Sequence, residues 1–142
     1  MAVQGKVQGR RLRKDSWVTS AMTSVGTSYA TGKAGTLAIK LASDKLRIEP
    51  QYVVITLSSI SSTTAVTVLI STDTGGDVII APQTTATITT GVTTASVGTV
   101  ALDWKVPYVD NSGTAQTWYI MCKGDAGTFT VDSVDMYSYE DL

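Results

Sequence analysis

The chain has no histidine and a single cysteine, Cys122, among 142 residues. Without imidazole there is no Ser–His or Cys–His nucleophile pair and no histidine general base. Cys122 alternates with the core-type residues of the run Trp118–Lys123, the setting of a buried, inert thiol. No neighbouring base or helix start is present to turn it into a thiolate. It has no disulfide partner in the chain and belongs to no CxxC or Cys/His cluster. Two groups of acids offer oxygen ligands of the kind Ca²⁺ accepts. Asp73 and Asp77 flank a Gly-Gly turn, and Asp132, Asp135, Glu140 and Asp141 lie near the C-terminus. Neither has EF-hand spacing, and Asp in a hairpin loop ordinarily supports the turn, so no metal and no cofactor is assigned. Nothing in the sequence sets two carboxylates at the separation glycoside hydrolysis needs. These residues point away from an enzyme.

Residue types that bind are more prominent. The first fourteen positions carry Lys6, Arg10, Arg11, Arg13 and Lys14 and no acid, while the stretch from Asp103 onward carries seven acids and two lysines. The whole is nearly neutral, at a formal −1. Five charges on a near-neutral body give no wide basic footprint, so nucleic acid is disfavoured as a partner. Guanidinium forks instead match carboxylates on a protein surface. Arg10, Arg11, Leu12, Arg13, Lys14 and Trp17 are therefore the docking candidates, the last with Leu12 as an apolar anchor. Tyr108, Tyr137 and Tyr139 are the tyrosines placed in loops or near the C-terminus, and tyrosine is favoured at interface cores. With Glu140 and Asp141 they are candidates for contact with a neighbouring copy. The same tyrosines would serve a sugar-binding module. Trp104 and Trp118 share parity with core aliphatics and read as buried.

The elements that must position these side chains are strands. Leu37/Ile39/Leu41, Val53/Ile55/Leu57, Val66/Val68/Ile70, Val100/Leu102/Trp104 and Trp118/Ile120/Cys122 each recur with period two, one face to a core and the other outward. No sustained helical stripe competes with them. The spacing predicts strands over 17–22, 36–41, 52–58, 65–71, 78–81, 86–90, 99–105, 117–123 and 128–138. Gly-Gly at 75–76, Asp110-Asn-Ser-Gly113 and Gly124-Asp-Ala-Gly127 supply turns. In the last strand Phe129 and Val131 have one parity and Val134 and Met136 the other, which predicts a β-bulge at Asp132–Ser133. The fold expected is all-β: a single antiparallel β-sandwich of jelly-roll type with about eight strands, residues 17–142, preceded by an extended basic arm, residues 1–16.

The basic start runs into a polar segment, not an apolar stretch with a cleavage site, and no apolar run reaches the roughly 20 residues of a membrane span. The expectation is a protein made in a cytoplasm, with no membrane partner.

With these pieces in place the chain resembles the small jelly-roll cement (decoration) proteins of tailed-bacteriophage capsids. The resemblance is one of cadence over roughly residues 30–139: Thr36–Leu41, the YVV-type strand Tyr52–Leu57, the run Val66–Asp73, the aromatic strand Trp118–Lys123, and the Gly-rich turn into Gly124–Tyr139. It implies a non-enzymatic virion protein on the capsid surface, made in the host cytoplasm, that binds the major capsid protein. Such proteins bridge neighbouring subunits, often as dimers or trimers, and stiffen the shell. Rival placements are a tail, fibre-base or minor coat protein of the same virion, a carbohydrate or cell-surface binding module, and a genome-packaging coat protein.

Overall fold

The computed structural model describes residues 10–30, 32–39, 47–90, 96–103, 109–110 and 115–141. They form ten strands: β1 (Arg10–Ser16), β2 (Ala34–Ile39), β3 (Arg47–Ser61), β4 (Ala65–Ser71), β5 (Ile79–Thr87), β6 (Thr89–Thr90), β7 (Gly98–Leu102), β8 (Val109–Asp110), β9 (Gln116–Gly124) and β10 (Thr128–Asp141). Among these residues no helix is long and apolar enough to cross a membrane.

The strands lie in two antiparallel sheets, ordered β1-β10-β3-β7-β6, with β8 also on β3, and β2-β9-β4-β5. Leaving out the two-residue strands β6 and β8, the pairs nest from the ends inward: β1 with β10, β2 with β9, β3 with β7, β4 with β5. Successive pairs go to alternate sheets. A long antiparallel hairpin rolled up in this way is a jelly roll, the expected β-sandwich.

Alternation fixes which side of each strand is buried. Val53, Ile55, Leu57, Val100, Leu102, Val134 and Met136 of one sheet belong to the same core as Leu37, Ile39, Val66, Val68, Ile70, Trp118, Ile120 and Cys122 of the other. The expected bulge is present: Val131 pairs with Leu57 and Ser133 with Thr56, leaving Asp132 over. Phe129, Val131, Val134 and Met136 consequently all reach the core. A second shift, between Tyr137↔Tyr52 and Ser138↔Pro50, leaves Gln51 over and places Pro50 at an irregularity, where its missing N–H is tolerated.

Three boundaries differ from the sequence reading. Residues 17–22 are not a strand; they make only the isolated bridge Val18↔Thr36. The segment from Trp17 to Val25 leaves β10 for β2: Trp17 N–H donates to the Val134 carbonyl and Val18 N–H to the Thr36 carbonyl. A chain crossing between sheets cannot pair steadily with either. The strand at this end is β1, inside the segment read as an arm. The runs 78–81 and 86–90 resolve into β5, with its register shift between Ala81 and Thr84 around Pro82, and β6, separated by buried Ile88.

Candidate functional site

β1, β10 and β3 lie side by side, and their alternation separates two groups of the singled-out residues. Met136 and Ser138 of β10 are buried, so Glu140 shares their inward face and Tyr137 and Tyr139 point outward. The register Arg11↔Glu140, Leu12↔Tyr139, Arg13↔Ser138 and Lys14↔Tyr137 sends Arg11, Arg13 and Asp15 inward and Leu12 and Lys14 outward.

The inward group is an ion network. Glu140, with 7% of its surface exposed, accepts from Arg11 Nε at Oε1 and from Arg13 Nη1 at Oε2, the second at 3.4 Å. Arg13 also grips Asp15 with a two-pronged contact, Nε to Oδ2 at 2.9 Å and Nη2 to Oδ1 at 3.1 Å. A carboxylate this buried is tolerated because both oxygens are taken by guanidinium donors. Arg11, Arg13 and Glu140, read as pairing across an interface, thus pair within one chain and fasten β1 to β10. Trp17, read as an anchor for a partner, is buried in the chain's own core. Arg10 and Asp141 are register partners at the end of the same ladder. Tyr108 and Trp104 lie outside the described residues, as do residues 1–9.

The outward group is a surface. Leu12 is 54% exposed, Tyr139 41% and Tyr52 38%. The rings of Tyr52 and Tyr137 stack across β3 and β10 with centroids 4.8 Å apart and planes 20° from parallel. The register sets two rows across three strands: Leu12–Tyr139–Glu49 and Lys14–Tyr137–Tyr52. Tyr52 and Glu49 were not among the residues picked out from the sequence. The signal was there for Tyr52, since the alternation that buries Val53, Ile55 and Leu57 leaves Tyr52 on the opposite side. For Glu49 the Gln51 irregularity hides it.

Elsewhere the polar groups hold turns. Asp73 Oδ1 accepts from Ser71 Oγ at 2.6 Å, Asp77 N–H at 2.8 Å and Val78 N–H at 2.9 Å, and Oδ2 from Gly75 N–H at 3.3 Å. The Ser71 hydroxyl and these backbone donors hold its carboxyl below the usual range. Asp125 closes the β9–β10 turn in the same way. Its Oδ2 accepts from Thr64 Oγ1 at 2.5 Å and its Oδ1 from the N–H groups of Thr64 and Ala65, which brings its pKa down to about 2. Among the described residues no three His, Cys, Asp or Glu side chains cluster as metal ligands. Burial pushes the Cys122 thiol up to about 12.

No family model and no curated protein matches the chain. Among solved structures it is similar to a GH115 4-O-methyl-alpha-glucuronidase with specificity for decorated arabinogalactans, at 11% identity and a TM-score of 0.37, over 86% of this chain and 17% of that one. It is also similar to a family two carbohydrate esterase from Cellvibrio japonicus, at 10% identity and a TM-score of 0.38, over 94% of this chain and 36% of that one. The chain thus spans well under half the length of these two proteins, and likeness at these scores carries no functional weight.

Proposed function

We propose that the chain is a structural protein of a virion, a capsid cement protein that binds the outer shell, bridges neighbouring major capsid subunits and stabilises the head. The observation that carries this reading is the outward face of β1, β10 and β3, where Leu12, Tyr52, Tyr137 and Tyr139 lie together. Large amphipathic rings fixed on a sheet give contact area at little entropic cost, as protein interfaces favour. Around them the exposed surface is mainly Ser, Thr and charged residues, which suits a protein that must stay soluble until it is assembled. The cadence shared with decoration proteins points the same way. A sugar platform fits this face less well, because each ring of the Tyr52–Tyr137 stack already gives one side to the other.

The test is co-sedimentation of the purified protein with capsids stripped of it. The wild-type chain binds, and Tyr52→Ser/Tyr139→Ser, changed only at exposed positions, binds at least tenfold more weakly. No binding by the wild-type chain, or selective glycan binding in its place, overturns the reading. Point changes are the right tool here, because deleting the first fourteen residues would also remove most of β1.

A further inference from the structure

We propose that the outward tyrosine face receives a second copy of this chain, the two faces related by a two-fold axis that sets Lys14 of each against Glu49 of the other. The inference rests on reading this face as a protein contact and names its occupant.

The placement follows from the register. In the two rows Leu12–Tyr139–Glu49 and Lys14–Tyr137–Tyr52, Lys14 and Glu49 occupy opposite corners, and Leu12 and Tyr52 the other two. Strands about 4.8 Å apart and outward residues about 7 Å apart along a strand make this a compact four-cornered patch. Turning a copy over about the Leu12–Tyr52 diagonal brings each of these two residues onto its own counterpart. The same rotation exchanges the Lys14 corner with the Glu49 corner, so both charge contacts are between opposite signs. The strands of the two copies then cross steeply, toward the orthogonal class of sheet packing. Turning the copy about the strand direction instead sets Lys14 over Tyr52 and Leu12 over Glu49, and neither charge gains a partner. One patch that matches itself under a two-fold axis is the requirement for an isologous pair.

Six outward side chains fall well short of the roughly 20–30 residues a side of a standard stable interface. The pair is therefore weak in dilute solution and fills where copies are crowded, the condition of a repeating assembly.

Sedimentation equilibrium over rising concentration tests this. The wild-type chain self-associates; Lys14→Glu alone and Glu49→Lys alone each weaken association about tenfold or more, since both symmetric contacts become like-charged. Mixing the two variants restores association as a heterodimer, and the double variant restores it as a homodimer. Circular dichroism of each variant matches the wild type, because both positions lie on the outer face. A wild-type chain that stays monomeric at every concentration, or variants that associate as it does, overturns the second copy as occupant. Capsid binding by the Tyr52→Ser/Tyr139→Ser protein reads the underlying function separately. A monomeric wild type whose capsid binding depends on those tyrosines keeps the contact face and removes only the pairing.

Discussion

Arg11 and Glu140 stand 129 positions apart in sequence and face each other across β1 and β10 as register partners. Arg13 reaches the other oxygen of the same carboxylate, so two guanidiniums of the first strand close on one acid of the last. The ends of the chain are joined by charge where the rest of the sandwich is joined by apolar packing.

The two arginines differ in how much they hold. Arg13 is 18% exposed and bridges Glu140 to Asp15, whereas Arg11 is 61% exposed. Removing one partner of a buried pair leaves a charge without its solvent or its counter-ion. Arg13→Ala is expected to cost about 2 kcal/mol, with Glu140 retaining only Arg11. Arg11→Ala is expected to cost less than about 1 kcal/mol. Urea unfolding midpoints at low and moderate salt check the order. Equal losses for the two variants would show that burial does not set the strength of this network.

Asp125 gives a dependence on acid. Its carboxyl titrates at about 2 in the folded chain against 3.8 for the free group, so the folded form binds the proton less readily than the unfolded form. The stability it contributes is fully present above about pH 4 and is lost as pH falls through about 2. Asp73 shifts in the same direction and adds to the loss. The melting temperature of the wild type should fall over this window. Asp125→Asn should melt lower at neutral pH and show a shallower decline below pH 4. An unchanged acid slope in that variant would remove Asp125 as a source.

Strands with an aliphatic face were legible from the sequence. Residues 65–71 coincide with β4, and the parity break in β10 located the Asp132 bulge, because a period of two is all that a sheet buried on one face requires. β1 was not legible, for a physical reason. Its inward residues are Arg11, Arg13 and Asp15, and their burial depends on Glu140 at the far end of the chain. No local pattern announces such a strand. Trp17–Met22 looked like a strand because Trp17 and Met22 are indeed core residues, but they belong to a chain crossing between sheets. Of the outward face, Tyr137 and Tyr139 were named from sequence, and Tyr52 joined them only through cross-strand register.

The β9–β10 turn depends on one glycine. Gly127 has φ of +63°, and a Cβ there would overlap the Ser61 carbonyl oxygen. Left-handed backbone strain and the backbone clash add, so Gly127→Ala should cost more than about 2 kcal/mol. Gly26 is the control, since a Cβ there meets nothing within 4 Å; Gly26→Ala should stay within about 0.5 kcal/mol of the wild type. Thermal unfolding of the two variants side by side distinguishes a specific requirement at 127 from a general intolerance of alanine.

Cys122 connects core packing to alkaline pH. Its thiol is buried and titrates near 12 in the folded chain against 9.0 for the free group, so the native state holds a proton that the unfolded state releases. Stability should therefore decline as pH rises from about 9 toward 12. Tyr29, moved by burial from 10.0 to about 12, contributes the same sign from about pH 10 upward. At pH 8 a disulfide-exchange reagent should leave the native thiol untouched and label one thiol per chain after denaturation, because the thiolate is the nucleophile. Cys122→Ala should remove the part of the alkaline slope that begins near pH 9 and leave the Tyr29 part, while a further Tyr29→Phe change should flatten the remainder. Rapid labelling of the native protein would mean that the interior beside Trp118 and Ile120 opens far more often than a packed jelly-roll core allows.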